Sequence, residues 1–396
     1  MAVQTASWFP ITFWGPPPVE LVHYQRMAEA GFTLAQIIAE SPASGRQALD
    51  LAQQVGVQGM IWDPRVSRDL PERPNWEETV RAVVADYADH PALWGYMLAD
   101  EPQPREFASL ARLMRSFEEH DPQHVPYTNM LPGWVRSDWL GTIDYRQHAQ
   151  QYMDALRPPL LSYDHYPLQE TGERPEWYEN LAIAREEALR AGVPMWVIIQ
   201  ATPHQFYSDP TPEDLRWQAF CCLAYGARGL SYWTYWTPDG ENHRNGICSY
   251  FGYYGAKYEA VRQLNQEILR LAPHLLGLTS VSVAHWPSAP RGAQVLPTDG
   301  LVESIEGGEY VVGEFRGADE GPWLLVVNRC RQRAARVQMR LRTEQAALYE
   351  VAHSNGQLRR LGSDLTSPEP CVSHRGGLAV RFWLAPGDGR LFRVGE

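Results

Sequence analysis

The first two thirds of the chain alternate short apolar runs with amphipathic stretches. Each amphipathic stretch repeats its apolar residues at the three- and four-residue intervals that are typical of a helix. The apolar runs are short and nearly continuous, a pattern that predicts parallel strands buried on both faces. The eight predicted strands are residues 9–15, 32–39, 57–63, 92–102, 125–132, 160–167, 193–202 and 229–238.

Helical patterns separate these runs, beginning with 18–31 and ending with 256–275. Eight strand–helix repeats between residue 9 and about residue 270 match a (β/α)8 TIM barrel in number and length. The alternative is a doubly wound sheet, which would normally carry a Gly-rich phosphate turn after the first strand. The turn here reads WGPPPVE, which cannot cradle a pyrophosphate. The barrel is therefore favoured, and phosphoryl or nucleotide chemistry is disfavoured.

After about residue 279 the pattern changes to period two, and no long helical stretch interrupts it. The alternating runs include LVESI, YVVGEF, PWLLVVN, ARVQMRL, LAVRFWLA and RLFRV, with turns such as SNG and GDG between them. This pattern predicts a small antiparallel β-sandwich. The predicted domains are therefore a barrel over residues 1–279 and a β-sandwich over 280–396.

Charge and hydropathy exclude several classes of partner. The chain has 396 residues and a formal net charge of −12, which argues against nucleic acid and against an anionic membrane surface. No apolar run reaches the roughly 18 residues that a membrane span needs. The 15 Trp and 19 Tyr are numerous, and such rings either fill a core or stack on sugar rings.

The five cysteines predict neither a disulfide framework nor a zinc site, because the number is odd, Cys221 and Cys222 are adjacent, and no CxxC spacing occurs. This usage fits a reducing compartment, and the N-terminus has no basic start or apolar run of signal length. We expect a cytoplasmic protein, although a signal peptide removed beforehand would not be visible. The sequence does not determine the oligomeric state and allows a homo-oligomer.

Polar and aromatic residues recur at the carboxyl ends of the predicted strands, where (β/α)8 barrels place their catalytic groups. The amino ends carry mostly Gly, Pro and loop polar residues. The candidates at the carboxyl ends are Trp14, Glu40, Trp62, Asp63, Asp100, Glu101, Asn129, Asp164, His165, Tyr166, Gln200, His204, Trp233 and Trp236.

The fourth strand, ALWGYMLADEP, is apolar until it ends in Asp100 and Glu101. Two carboxyl groups that flank a glycosidic bond can hydrolyse it, one as the acid and the other as the nucleophile or the base that activates water. A partly apolar cleft and a neighbouring carboxylate would raise the pKa of the acid. In a regular strand Asp100 would point to the opposite face from Glu101. The alternative is that Asp-Glu-Pro caps the helix that follows.

WGYMLADEP resembles the fourth-strand signature of retaining glycosidases of the large (β/α)8 clan that includes β-galactosidases and cellulases. LSYDHYP, LAYGARGLSYWTYWTP and the tail WLAPGDGRLFRV are similar to uncharacterised bacterial glycosidase-like sequences with an appended β-sandwich. The resemblance covers nearly the whole chain and implies an O-glycosyl hydrolase. In that clan the usual motif is Asn-Glu-Pro, and its Glu is the general acid/base. Glu101 matches this residue, and Asp100 stands in place of the Asn.

The chain departs from the clan at the seventh strand. The nucleophile of the clan is a Glu at the end of that strand, where this chain has Gln200, and an amide cannot form the glycosyl ester. Asp164 is the favoured second carboxyl group, as nucleophile or as base, and Glu40 or Asp63 are alternatives. A third possibility is that the barrel binds carbohydrate without cleaving it.

The remaining candidates are not predicted to act as catalytic acids or bases. The rings of Trp14, Trp62, Trp233 and Trp236 either form a floor for a sugar ring or pack in the core. Asn129, Gln200, His165 and His204 are candidates for hydrogen bonds to sugar hydroxyl groups, and Tyr166 flanks Asp164. The long polar loop 237–252 could cover the site, with Glu241 and His243 as weaker candidates.

The predicted substrate is a glycoside or oligosaccharide of a neutral sugar, because a rim rich in acids would repel uronic acids. A metal-dependent barrel hydrolase would need His-x-His on the first strand, which reads ITFWG. No metal or other cofactor is therefore expected. We expect the β-sandwich to support the barrel rather than to bind glycans.

Overall fold

The computed structural model describes residues 8–240, 242–343, 347–362, 368–374 and 376–395. The chain forms two compact units. One comprises the residues up to Asp209 together with Arg228–Asn265, and the other comprises Pro210–Ala227 and Gln266–Glu396. The domain boundary at 279/280 stays a prediction.

Eight parallel strands form a barrel, as the sequence predicted. In ring order the sheet runs β1-β8-β7-β6-β5-β4-β3-β2. The ring closes next to β1, where the Thr33 N–H donates to Ile11 O (2.9 Å) and the Ile11 N–H donates to Thr33 Oγ1 (2.9 Å). The strands are β1 (Ile11–Trp14), β2 (Leu34–Ile38), β3 (Gln58–Trp62), β4 (Leu93–Asp100), β5 (Val125–Met130), β6 (Leu161–Asp164), β7 (Met195–Gln200) and β8 (Ala227–Trp233).

Helices connect the strands, as expected for right-handed crossovers between parallel neighbours. They are α1 (Leu21–Glu29), α2 (Pro42–Gln54), α3 (Trp76–Tyr87), α4 (Phe107–His120), the short α5 (Ser137–Leu140), α6 (Tyr145–Leu156), α7 (Trp177–Ala191), α8 (Pro212–Ala224) and α9 (Ala256–Leu275). Short 3₁₀ segments at Leu70–Glu72 and Pro104–Glu106 precede α3 and α4, and a small hairpin pairs Leu168–Gln169 with Gly172–Glu173.

The start of α3 shows a limit of sequence patterns. An Asn directly before a helical pattern, here Asn75, is a typical N-cap, but its side chain makes no capping hydrogen bond and its backbone is left-handed at φ 55°. The sequence pattern identified the start of the helix but not the backbone conformation there. In the part of the chain that the structure describes, no helix combines the length and the hydropathy that crossing a membrane requires.

Large aromatic side chains fill the barrel interior. The rings of Trp94 and Trp196 stack at 5.1 Å between centroids, and both side chains are buried. Space is tight enough that Gly95 of β4 has no room for a side chain, since a Cβ there would lie 2.3 Å from Val125 O. The floor beneath the carboxyl ends of the strands is therefore a packed core rather than a channel.

The C-terminal strands form two antiparallel sheets, and the predicted (β/α)8 barrel followed by a β-sandwich is confirmed. One sheet runs β9-β11-β12-β18-β14-β15 and the other runs β10-β13-β17-β16. The strands are β9 (Thr279–Trp286), β10 (Val302–Glu306), β11 (Tyr310–Arg316), β12 (Pro322–Asn328), β13 (Ala335–Arg342), β14 (Ala347–Val351), β15 (Leu358–Arg360), β16 (Cys371–His374), β17 (Gly377–Leu384) and β18 (Gly389–Gly395).

Strict alternation explains why these strands were readable from the sequence. In β13 every second side chain is buried, from Ala335 to Leu341, and the residues between them are exposed. The buried set joins residues such as Val312, Val326 and Phe392 in one core between the two sheets. A polar face is left on the outside of the sheet that contains β13.

Candidate active site

A cavity of about 290 Å³ opens at the carboxyl ends of the barrel strands. It is the right size for a sugar ring and lies on the rim where barrels of this type carry their catalytic groups. The lining residues are Trp14, Asp100, Glu101, Asn129, Trp134, Asp164, Tyr166, Ile198, His204, Gln205, Tyr207, Trp233 and His243. Eight of the candidates from the sequence are therefore brought together there: Trp14, Asp100, Glu101, Asn129, Asp164, Tyr166, His204 and Trp233.

The backbone at Glu101 explains how two consecutive carboxylates reach one cavity. Asp100 is the last residue of β4, and Glu101 follows it in the left-handed region at φ 48°. Few non-glycine residues adopt this conformation, and its strain is usually found at functional sites. The change of backbone direction breaks the two-residue alternation of the strand, so that both side chains line the cavity.

The helix after β4 does not use these two carboxylates as caps. The carboxylate of Glu106 accepts from the Gln103 N–H at 2.7 Å and so closes the start of the 3₁₀ segment. The capping alternative for Asp-Glu-Pro is therefore not the role that the structure gives to Asp100 and Glu101.

A single amide connects the carboxyl groups. Nδ2 of Asn129 donates to Asp100 Oδ1 (3.1 Å) and to Asp164 Oδ1 (2.8 Å). Oδ1 of Asn129 accepts from the Ser162 hydroxyl group (3.0 Å), which fixes the amide orientation. Asn129 thus holds the side chains from the ends of β4 and β6 in register, a more specific role than the contact with sugar hydroxyl groups predicted for it.

The carboxyl groups of Glu101 and Asp164 lie close enough to shift each other's pKa. Burial, followed by the charge of Asp100, raises the pKa of Glu101 to about 7. Burial, followed by the charges of Glu101 and Asp100, raises the pKa of Asp164 well above its ordinary value. Burial also raises the pKa of Asp100 to about 6. The cluster therefore keeps protons at a pH where exposed carboxyl groups have lost theirs.

Arg68 places a cation behind this cluster, a role that no sequence pattern indicated. Arg68, in the loop after β3, donates to the backbone carbonyl oxygen of Asp100 and to Glu106 (3.0 Å). Its positive charge lowers the pKa of both Asp100 and Glu101, but less than burial raises it. Arg68 therefore limits the rise in pKa without neutralising either acid.

Aromatic rings form the other side of the cavity. Trp233 lies between Trp14 (6.0 Å between centroids) and Tyr166 (6.2 Å). Tyr166 meets Tyr207 edge-to-face at 5.6 Å. Rings with apolar faces suit the C–H groups of a sugar ring, opposite carboxyl groups that suit its oxygen atoms.

His204 adds a neutral polar group to this aromatic side. Its Nδ1 lies 3.0 Å from the Thr202 carbonyl oxygen, so Nδ1 carries the hydrogen and Nε2 is left as an acceptor. Burial lowers the pKa of His204, and its ring stacks on His243 at 5.6 Å. Both histidines are thus suited to hydrogen bonding rather than to carrying charge.

Gln200, the residue in the clan's nucleophile position, does not line the cavity. Its side chain is fully buried and binds backbone atoms: Oε1 accepts from Leu168 N–H (3.1 Å), and Nε2 donates to Leu168 O (3.2 Å) and Ser208 O (2.7 Å). It joins two loops of the rim, so the predicted contact with a sugar is not seen.

Two acids proposed as alternatives to Asp164 also lie away from the cavity lining. Asp63 is buried and accepts from Arg65 Nε (2.9 Å) and from the Tyr87 hydroxyl group (2.9 Å). Although burial opposes ionisation, these hydrogen bonds lower the pKa of Asp63. Glu40 is exposed to solvent, and its N–H donates to Ser44 Oγ.

The last three candidates serve the surroundings of the cavity. His165 faces away from it, because side chains alternate after β6, and its Nδ1 lies 2.8 Å from Asn180 Oδ1. Trp62 packs edge-to-face on Trp14 at 6.3 Å and so supports a lining ring. Trp236 packs against the His23 ring at 4.9 Å.

The structure adds lining residues that the sequence reasoning did not select: Trp134, Ile198, Gln205 and Tyr207. Trp134, Gln205 and Tyr207 lie in loops that follow β5 and β7. For Trp134 and Tyr207, an aromatic residue in a loop at the carboxyl ends of the strands was the sequence signal that could have identified them. His243, a weaker candidate, lines the cavity, and Glu241 lies outside the described residues. Among the residues described, no group of three or more His, Cys, Asp or Glu side chains could hold a metal ion.

No protein-family model matches the sequence, and no curated protein matches it either. A solved glycoside hydrolase matches the structure with a TM-score of 0.62 and 12% identity over 98% of this chain and 92% of that chain. A GH42 β-galactosidase from G. stearothermophilus, solved as a catalytic mutant, matches with a TM-score of 0.59 and 8% identity over 98% of both chains.

A third similar structure is a β-galactosidase from the psychrophilic Marinomonas ef1, with a TM-score of 0.50 and 11% identity over 67% of this chain. This chain spans only 60% of the length of that protein. At such identities the similarity is one of fold. It confirms that the chain has the barrel fold found in glycoside hydrolases, as the sequence resemblance implied.

Proposed function

We propose that the chain is a glycoside hydrolase that cleaves the glycosidic bond of a neutral sugar, with Glu101 as the general acid/base. The observation that carries this proposal is the buried pair of carboxyl groups, Glu101 and Asp164, in a cavity with aromatic walls. The barrel fold, which glycoside hydrolases share, supports the same conclusion.

Glu101 has the protonation behaviour that a general acid needs. With its pKa raised to about 7, mainly by burial, it still holds a proton near neutral pH. It can therefore donate that proton to the leaving oxygen, and after the sugar departs it can accept a proton from water. Asp100 contributes through its charge, which disfavours ionisation of Glu101.

Asp164 is the proposed second carboxyl group, acting as nucleophile or as the base that activates water. Retaining glycosidases separate their two carboxyl groups by about 5–5.5 Å, and inverting ones by about 6.5–9.5 Å. The stereochemistry of the product therefore decides between the two roles of Asp164.

The cavity favours a neutral sugar. Its described lining contains three carboxyl groups and no lysine or arginine, so a carboxylate on the sugar would meet repulsion without a compensating cation. The rings of Trp14, Tyr166 and Trp233 supply the apolar surface that a pyranose face needs.

Hydrolysis of a panel of nitrophenyl glycosides of neutral sugars tests this proposal. We expect turnover by the native protein and a loss of roughly 10²–10⁴-fold in kcat for Glu101→Gln, while the circular dichroism spectrum is unchanged. Glu119→Gln, on the exposed side of α4, is the matched control and should keep full activity. A Glu101→Gln protein with nearly native turnover would refute the acid role.

The stereochemistry of the product distinguishes the two roles of Asp164. A nucleophile gives retention, and azide added to Asp164→Asn should then yield a glycosyl azide of inverted configuration. A base gives inversion in the native protein. Both results can be read by NMR of the product at the anomeric carbon.

A carbohydrate-binding protein without catalysis is the second candidate. The observation in its favour is Gln200, whose amide stands where the clan has its nucleophile and is fully engaged with backbone atoms. Binding of sugars without hydrolysis of any tested glycoside would support this function over the first.

A further inference from the structure

A second concave surface lies in the β-sandwich, on the exposed face of the sheet β10-β13-β17-β16. This trough has a volume of about 440 Å³. Small residues form its bottom, because Ser304 and Ala379 are the cross-strand neighbours of Arg340, and Val372 is the neighbour of Ala379. Longer side chains in the adjacent rows form its sides, so the depression follows from the order of residue sizes across the sheet.

Exposed arginines without partners among the described residues border this trough. Arg340 and Arg381 line it, and Arg336 lies further along the same face. All three are exposed, and none has a hydrogen bond or an ion pair from its side chain to any residue that the structure describes. Several other arginines of this unit are paired, such as Arg390 with Glu369 (2.6 Å) and Arg393 with Asp319 (2.5 Å).

The composition makes these unpaired cations harder to explain as ordinary surface. The chain has 47 acidic and 35 basic residues, not counting histidine, so acidic partners are in excess. Arg381 lies diagonally between Arg336 and Arg340 on this face, so each guanidinium group has another positive charge near it. A face that keeps several of them free is suited to an external anion, since a guanidinium group binds a carboxylate through two parallel hydrogen bonds.

Next to the arginines, an aromatic ring is exposed. Trp383 is 58% exposed and is the direct cross-strand neighbour of Arg336, so the two side chains share a face. Gln338, paired with Arg381 across the strands, lines the trough and adds an amide. A flat ring, guanidinium groups and an amide together can hold the C–H face, the carboxylates and the hydroxyl groups of a sugar chain.

From these contacts we propose that the trough binds an acidic polysaccharide, a chain of sugars that carry carboxylate groups. Glu303 and Glu306 also line the trough. They can accept hydrogen bonds from the hydroxyl groups of a polysaccharide, which the backbone of DNA does not offer. The sequence predicted only a supporting role for this domain. The proposed binding is separate from the carboxyl groups of the barrel and does not depend on hydrolysis.

Isothermal titration calorimetry of the full chain with sodium polygalacturonate at low salt tests the proposal. We expect binding that weakens as salt is added, and a loss of about tenfold or more in affinity for Arg340→Gln/Arg381→Gln, because two charge-assisted contacts are removed. The matched control is Arg316→Gln/Arg393→Gln, which makes the same change in net charge on the other sheet and should bind within about twofold of the native chain. Trp383→Ala should also weaken binding, and none of these exposed substitutions should change the melting temperature greatly.

Three results would overturn the proposal. They are no binding of polygalacturonate by the native chain, equal losses in the two double variants, or binding of hydroxyethylcellulose or single-stranded DNA as tight as that of polygalacturonate. Activity on nitrophenyl glycosides, measured in parallel, shows whether the barrel is catalytic. Loss of binding with retained turnover separates this site from the cavity of the barrel.

Discussion

Asp63 and Asp164 are both buried aspartates at the carboxyl ends of barrel strands, yet their surroundings give them opposite properties. Arg65 and Tyr87 donate hydrogen bonds to Asp63 and lower its pKa although burial opposes this. Among the described residues no cation adds to the pKa causes of Asp164, so burial and the charges of Glu101 and Asp100 raise its pKa. Burial of an aspartate alone therefore does not identify it as a catalytic acid. The absence of a compensating cation next to a cavity is what distinguishes the β6 end from the β3 end.

The largest effect is expected in activity at the β6 end. Asp164→Asn should lower kcat for nitrophenyl glycosides by roughly 10²–10³-fold, because the second carboxyl group is lost. Because burial raises the pKa of Asp164 and so disfavours its charged form, its neutral amide replacement should leave the melting temperature within a few degrees. A variant with native turnover, or one that fails to fold, would contradict the comparison.

The next effect is expected in stability at the β3 end. Arg65→Met removes hydrogen bonds of 2.8–2.9 Å to Asp63 and the ion pair to Asp86, which leaves a buried carboxylate with only part of its partners. We expect a loss of about 2–3 kcal/mol in the free energy of unfolding at pH 7, measured by urea denaturation. Arg73→Met, which breaks an exposed pair with Asp69, is the control and should cost less than about 0.5 kcal/mol. Equal losses in the two variants would show that the buried pair of Asp63 and Arg65 stabilises the fold no more than an exposed ion pair does.

The pH dependence of stability should have opposite signs at the two ends. The pKa of Glu101 rises from 4.5 in the unfolded chain to about 7 in the folded one, so between these values the folded protein holds a proton that the unfolded chain has lost. This contribution makes stability fall as pH rises through that window. Asp63, with its pKa lowered below 3.8, instead contributes stability that is present above that value and lost in acid.

Glu101→Gln should remove the first contribution. We compare the free energy of unfolding of the variant with that of the native chain at each pH. The difference, variant minus native, should be about 2 kcal/mol larger at pH 8 than at pH 5. Urea denaturation at both pH values measures this, and Glu119→Gln should show no such gain. The same difference at both pH values would mean that Glu101 is ionised throughout the range.

The smallest effect is expected at Arg68, whose charge lowers the pKa of Asp100 and of Glu101. Arg68→Met should move the basic limb of the pH profile of kcat/KM to higher pH by several tenths of a unit. A shift to lower pH, with the protein still folded, would contradict the position given to Arg68 behind the acids.

The sequence predicted the framework of this site but not its inner geometry. An apolar run ending in Asp100 and Glu101 was enough to place carboxylates on the rim, because the carboxyl ends of parallel strands share one edge of the barrel. The left-handed backbone at Glu101 has no sequence signal in a glutamate before a proline, so the shared direction of the two acids was not predictable. The two-residue alternation after β6 could have separated His165 from Asp164 and Tyr166.

Partners that come from distant loops were also beyond the sequence. Gln200 was a candidate substrate ligand because it ends β7, but its side chain is hydrogen-bonded to the backbone of Leu168 and Ser208. Trp134 and Tyr207 line the cavity from loops whose path depends on tertiary packing rather than on local periodicity. In the β-sandwich, by contrast, the strict alternation in β13 could be read from the sequence and predicted a strand, but the order of residue sizes across strands decided where the trough lies.

The most direct test of the account is the protonation state of Glu101 itself. Infrared difference spectra between the native chain and Glu101→Gln, recorded from pH 5 to pH 9, isolate the band of this carboxyl group. We predict a protonated carboxyl band at pH 5 that disappears near pH 7, and a change in that titration in Asp164→Asn, because each group shifts the pKa of the other. A Glu101 that is already a carboxylate at pH 5 would contradict the raised pKa and the acid role built on it.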